Sequence, residues 1–261
     1  LTLNLAHPFG YGRVVRGEKG EIERIVEEKD FVAADHGGEI YEVNSGVYVF
    51  DVAQCGGLLP EMDRDNAQGE FYLTQMISIC ARRGLEVLGV PFGSSDLLRG
   101  INSPQELVRF EDALRAEIVD SHLAAGVIVR QAGSVVIGPD VQIEPGVEIT
   151  GPCEIYGNTK ISRGARIASH CWITDSVLGP CQVKSFSHIE RASVQAGATV
   201  GPYARLRPGT EVGPDARVGN FVEVKNAVLR EGAKAGHLSY LGDSDIGPGV
   251  NIGAGTIACN Y

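Results

Sequence analysis

Ile137, Ile143, Ile149, Ile155, Ile161, Ile167 and Ile173 stand six residues apart. The register then shortens and resumes at Val200, Leu206, Val212, Val218 and Val224, and again at Tyr240, Ile246 and Ile252. A helix repeats every 3.6 residues and a strand every 2, so neither sustains this spacing. A sandwich of short strands has no reason to hold one spacing through seven members. The period predicts a parallel β-helix of hexapeptides, three hexads to a coil, with one apolar side chain per flat face pointing inward. Small residues are needed at its corners, and "IGPDV", "VGPYA", "VGPDA" and "IGPGV" supply them.

The rhythm is interrupted after Val224, over "VKNAVLREGAKAGHLSY". In a solenoid an interruption is where side chains leave the stack, and His237 lies in this one. On its own such a histidine could be a polar surface residue, a satisfied core residue or a catalytic base.

Upstream the pattern changes. Ser103-Pro104-Gln105-Glu106 joins a serine cap, a proline at the first helical position and a glutamate suited to a capping box. Leu107, Phe110, Leu114 and Ile118 follow at helical spacing, and Gly126 is a stop. Residues 103–125 are therefore expected to be a connecting helix. In residues 1–102, "IERIVEEKD", "YEVNSGVYVFDV" and "LEVLGVPF" have the content of strands, while "EFYLTQMISICARRG" reads as a helix ending at Gly84. This is α/β content without a first strand and glycine-rich turn, the second half of such a domain. The chain starts at Leu1 and stops at Tyr261 inside a glycine-rich pattern, so both ends are expected to be cut.

The formal charge of −10 is lodged in the front part, where 11 basic residues face 21 acidic ones over 1–125; residues 126–261 carry 12 of each. With no basic stripe, nucleic acid is not expected as a partner. No apolar run approaches the roughly 18 residues of a membrane span. The six cysteines form no CxxC pair and are expected to be free thiols in a reducing cytoplasm.

Two groups of motifs carry a resemblance. "GYGRVVRGEKGEIERIVEEKD", "EVNSGVYVFD" and "NAQGEFYLTQMI" resemble the back half of a sugar-nucleotide uridyltransferase domain. "GPYARLRPGTEVGPDARVGNFVEVKNAVL" and "KAGHLSYLGDSDIGPGVNIGAGTIACNY" resemble an acetyltransferase solenoid. In this order, over essentially the whole chain, they resemble the bifunctional N-acetylglucosamine-1-phosphate uridyltransferase/glucosamine-1-phosphate N-acetyltransferase family. The implied fold is α/β followed by all-β. Residues 1–102 would be the C-terminal half of a Rossmann-like nucleotidyltransferase domain, 103–125 the connecting helix, and 126–261 part of a left-handed parallel β-helix.

The resemblance implies a cytoplasmic homotrimer with two reactions: acetylation of glucosamine 1-phosphate by acetyl-CoA, then joining of N-acetylglucosamine 1-phosphate to UTP with Mg²⁺. It gives His237 the role of general base, which suits an imidazole accepting a proton from an attacking amine. Arg207 and Lys225 match sugar-phosphate contacts, although as isolated residues they would be solvated charges. Tyr240 and Asn251 match sugar contacts; Tyr240 would otherwise be a wall residue and Asn251 a corner or asparagine-ladder residue. Ala254, Asn260 and Tyr261 match acetyl-CoA contacts, Ala254 through its backbone. Cys259, with no base beside it, is read as a structural thiol. Gly12, Glu27, Asn44 and Asn102 match contacts to UDP-N-acetylglucosamine, and Asn102 also a Mg²⁺ ligand. Without the match Asn44 and Asn102 would be ordinary turn or cap residues. One amide does not make a metal site.

Two other readings share these motifs. A nucleotidyltransferase with a purely structural or regulatory solenoid would not need a histidine and a tyrosine in "KAGHLSYLGD". A non-enzymatic scaffold would leave "VEEKD" and "EVNSG" without a purpose.

Overall fold

The computed structural model describes residues 1–92, 100–101 and 103–258. They form two compact units, Leu1–Phe110 and Glu111–Tyr261.

In the first unit, β1 (Thr2–Asn4), β2 (Arg13–Arg16), β3 (Ile22–Val26) and β4 (Glu42–Asn44) make a sheet in the order β1-β4-β2-β3. Its ladders are antiparallel. Leu3, Leu5 and Val43 are buried together on it. Helix α1 (Val52–Cys55) starts at Asp51, whose carboxylate accepts from the Ala53 N–H at 2.9 Å. Helix α2 (Gln75–Arg82) buries Met76, Ile79 and Cys80 and ends at Gly84, where a φ of 75° suits glycine. The strand expected over "LEVLGVPF" is absent among the described residues; only an isolated parallel bridge joins Pro91 to Thr2.

Arg13 is the largest buried side chain of this unit. Its guanidinium donates to the Tyr11 carbonyl, to Glu28 at 2.5 Å and to Glu39 at 3.0 Å, and it lies 4.9 Å from the Phe31 ring centre. A buried cation with its donors taken up is tolerable where an unpaired one is not.

Helix α3 (Pro104–Ala124) begins as the sequence dictates: the Ser103 hydroxyl accepts from the Glu106 N–H at 3.2 Å. Gly126 takes a left-handed φ of 91° and stops it. Its apolar face is not the expected one. Leu107 and Leu114 are exposed, and Val119, beside Ile118, packs into the solenoid core instead.

From Ile128 the chain winds into a parallel β-solenoid with three faces. The first stacks Ile149, Ile167, Val183, Val200, Val218, Ala235 and Ile252 inward. The second stacks Ile137, Ile155, Ile173, Ile189, Leu206, Val224 and Leu241. The third stacks Ile143, Ile161, Leu178, Val194, Val212, Leu229 and Ile246. All but Ile143, Ile246 and Ile252 are buried. Ile143 was expected in the core but lies on the end strand of its face, where no coil covers its far side. The interior cysteines Cys153, Cys171 and Cys181 are thiols of this core, and burial pushes Cys181 up to about 12.

The expected interruption after Val224 is not a departure from the stack. Leu229, Ala235 and Leu241 continue it inward, after one step of five residues. Alanine at 235 hid the rhythm because a methyl group is a weak apolar signal. Tyr240, counted as a hexad position, points outward; its register partner is Glu223, while Leu241 pairs with Val224 in the core. His237 therefore sits in a continuous strand, Lys234–Gly242, which rounds a corner between the first two faces.

That corner is built alike in successive coils. His170, Phe186, Tyr203, Phe221 and Leu238 all have φ between 45° and 62°. This region is costly for bulky residues, so something local must hold it. Ring stacking does: centroids are 4.5 Å apart for His170–Phe186, 4.8 Å for Phe186–Tyr203 and 5.3 Å for Tyr203–Phe221.

Candidate active site

Parallel stacking makes residues about 17 apart into neighbours, and this assembles the solenoid site. Leu206 pairs with Val224, so Arg207 emerges beside Lys225. On the same face Glu223 lies between Arg205 of the coil before and Tyr240 of the coil after. Arg207 donates to Glu223 at 3.0 Å, both side chains being about one-third exposed. Glu223 thus fixes the Arg207 fork without closing it off from an anion.

His237 is exposed at the corner, and its Nδ1 lies 2.5 Å from Oδ1 of Asn220, its register partner. The approach of the two coils is set one residue earlier. A Cβ on Gly219 would fall 1.9 Å from the Gly236 carbonyl oxygen, so only glycine fits there. The Ser239 hydroxyl, buried behind the histidine, donates to the His237 carbonyl at 2.9 Å. The next coil closes over the corner: the Gly255 N–H donates to the Leu238 carbonyl at 2.8 Å, and the Tyr240 N–H to the Thr256 carbonyl at 2.9 Å. Ala254 is thereby placed one coil beyond His237. Asn251 stacks on Lys234 on the first face, three residues short of the corner in register.

Structure thus brings Arg207, Lys225 and Tyr240 to one face, with His237 at its edge, Ala254 over that edge and Asn251 on the adjoining face. Asn260, Tyr261 and Cys259 lie outside the described residues. Asn220 and Glu223 were missed in the sequence. The signal that could have found them is the coil length: Asn220 is 17 residues before His237, and Glu223 is 17 before Tyr240.

A second group forms in the first unit. The Asn44 N–H donates to the Gly12 carbonyl at 2.9 Å, and a Cβ on Gly12 would meet Ile25 at 2.9 Å and the Glu27 carboxylate at 3.3 Å. Gly12, Glu27 and Asn44 therefore come together as expected of neighbours. Glu27 accepts from the Thr74 hydroxyl at 2.7 Å. Burial pushes the Tyr48 phenol up to about 12; the Asn44 side chain opposes the rise and the Glu27 charge adds to it. Asn44 also plays the plain turn role, its Oδ1 accepting from the Gly46 N–H at 2.9 Å. Thr74 and Tyr48 were not read from the sequence.

Asn102, the expected Mg²⁺ ligand, lies outside the described residues. Among the described residues no three His, Cys, Asp or Glu side chains gather as a metal site.

Over its full length the chain is 53% identical to "Bifunctional protein GlmU" of Oleidesulfovibrio alaskensis, 49% to that of Nitratidesulfovibrio vulgaris and 44% to that of Paraburkholderia phytofirmans. The chain is similar to these proteins along its whole length. It spans 57% of the length of each of these relatives. No protein-family model matches the chain. Among solved structures, a UDP-N-acetylglucosamine acyltransferase aligns with 49% of the chain and 67% of its own at 12% identity and a TM-score of 0.41. The acetyltransferase domain of PglB from Neisseria gonorrhoeae, in complex with acetyl coenzyme A, aligns with 64% of the chain and 77% of its own at 19% identity and a TM-score of 0.32.

Proposed function

We propose that the solenoid is the acetyl-transfer half of a bifunctional GlmU protein and acetylates the amine of glucosamine 1-phosphate with acetyl-CoA. The observation that carries this reading is the corner itself. It holds an exposed imidazole with one nitrogen engaged, beside a face that presents two cations. Arg207 and Lys225 take the sugar phosphate, while Tyr240 and Asn251 contact the sugar. The amine attacks the thioester carbonyl, and Nε2 of His237 takes its proton as the C–N bond forms. The C–S bond then breaks, and the departing thiolate of coenzyme A receives a proton from the imidazolium. Ala254, Asn260 and Tyr261 hold acetyl-CoA, with the Ala254 N–H directed to the carbonyl oxygen.

The same reading gives the first unit to uridylyl transfer. Gly12, Glu27, Asn44 and Asn102 contact UDP-N-acetylglucosamine, and UTP and Mg²⁺ enter with that reaction. On this reading the domains divide at 102 and 125, with the connecting helix between them. A homotrimer is supported by the corner column, where Phe186, Tyr203, Phe221 and Leu238 are exposed one above another. The protein acts in the cytoplasm; no described helix is long and apolar enough to cross a membrane.

The test is thiol release by the full-length protein from acetyl-CoA with glucosamine 1-phosphate as acceptor. Release that depends on the amino sugar is expected. Uridylyl transfer without any acetyl transfer would overturn the reading and leave the solenoid structural.

A further inference from the structure

We infer that Asn220 is the positioning residue for His237, fixing the tautomer in which Nδ1 carries the proton and Nε2 is bare. An amide oxygen can only accept, so the 2.5 Å contact between Asn220 Oδ1 and His237 Nδ1 requires a proton on Nδ1. The ring then presents its lone pair at Nε2, away from the coil. The inference rests on the acetyl-transfer reading for its kinetic consequence, but not for the tautomer.

The asparagine is itself held on both sides. Gly219 lets the two coils close to backbone contact immediately before it. Phe221 follows it, stacked on Tyr203, with its N–H donating to the Tyr203 carbonyl at 3.0 Å. A side chain between two fixed backbone points keeps its orientation when substrate arrives.

The choice of amide over carboxylate has a chemical consequence. A carboxylate at 220 would stabilise the imidazolium and hold the ring protonated to higher pH, which spoils a base that must start neutral. A neutral amide orients the ring with far less of that bias. The charged and titratable groups on the packed strands are Arg217, Glu223 and Lys225 on the asparagine's strand, and Lys234 and Tyr240 on the histidine's own. The described part of the following coil contributes neutral residues there: Asn251, Ala254 and Thr256.

The experiment uses full-length protein carrying ¹⁵N-histidine, with His237→Ala identifying the signal of interest. In the wild type above the ring's titration, solid-state spectra should show a protonated Nδ1 and an unprotonated Nε2. Asn220→Leu should give a mixture of tautomers and lower kcat for acetyl transfer about tenfold or more, with KM for both substrates little changed. Asn220→Asp should restore the single tautomer and move the inflection of the pH–rate profile up by about one unit. A wild-type ring protonated on Nε2 overturns the inference, as does Asn220→Leu with an unchanged rate and pH profile. If Asn220→Leu fails to fold, the wild-type spectrum and the Asp variant still decide. Absence of acetyl transfer in the wild type would instead sink the functional reading, with the tautomer still measured.

Discussion

Gly219→Ala should damage the acetyl-transfer site without touching a group that contacts substrate. The added Cβ falls 1.9 Å from the Gly236 carbonyl oxygen and 2.6 Å from its carbon, whereas real Cβ contacts do not go below 3.0 Å. The obstacle is backbone, so no side chain can swing aside. The coils carrying Asn220 and His237 must part locally by about 1 Å, at an overpacking cost of roughly 1–3 kcal/mol. A displacement of that size at a catalytic group costs on the order of 10²-fold in rate. The internal control is Gly236→Ala, since nothing lies within 4 Å of a Cβ built there. Urea unfolding followed by circular dichroism gives the stability change, and thiol release by the full-length protein gives kcat. The expected result is a folded but less stable Gly219→Ala variant with kcat down about 10²-fold, and a near-wild-type Gly236→Ala. Wild-type rate and stability in Gly219→Ala, or equal damage from the two alanines, would refute the reasoning.

His237→Ala should lower acetyl-transfer kcat by about 10²–10⁴ and spare uridylyl transfer; rates from pH 5.5 to 9 should lose the rising inflection expected of the wild type. Ile155→Ala, between Ile137 and Ile173 in the second face, should cost about 2–5 kcal/mol in urea unfolding, and Ile155→Asp more, because it buries an unpaired charge. Glu42 takes both Nε and Nη2 of Arg16 at 2.7 Å, and this hydrogen bonding above all, with smaller help from Thr2 and from the Arg16 charge, holds its carboxyl below the usual range despite partial burial. With the folded pKa depressed, its stabilisation is present above the unfolded carboxylate pKa and is lost as pH falls through the folded one. Glu42→Gln should therefore flatten the acid side of the stability profile, read as urea midpoint against pH from 7 down to 3.

Much of this architecture was legible because the solenoid core repeats one demand, an apolar side chain at each inward position. The isoleucine series met it openly, and all of it but Ile143 at the end of its face is buried. Reading failed where small or outward residues carried the pattern. Ala235 is fully buried but too small to announce a core position, so the sequence reads as a broken coil and its apolar period falls on Tyr240 where the core residue is Leu241. His237 stands out by residue type and by its place in the chain, whereas Arg207 and Lys225 read alone as solvated charges and gain a role only through the resemblance. Asn220 did not, because an asparagine in "RVGNFV" reads as a turn residue. Its role exists only after the chain has wound once more and set His237 upon it.

The same winding explains why a corner suits the proposed chemistry. Inward positions are committed to Ile, Val, Leu and Ala, and any charge placed there would unfold the stack. Flat outward positions meet a neighbour above and below in strict register, which suits rows such as Arg205, Glu223 and Tyr240 but fixes their direction. A corner residue escapes both constraints. Its backbone already leaves the extended region, as the left-handed Phe221 and Leu238 show, so its side chain can be turned toward solvent at no further cost to the ladder. Yet it remains one coil away from an identical corner that can supply a hydrogen-bond partner at fixed height. His237 and Asn220 use both properties at once. A base on a flat face would have been rigid but walled in, and one on a long loop would have been free but unoriented.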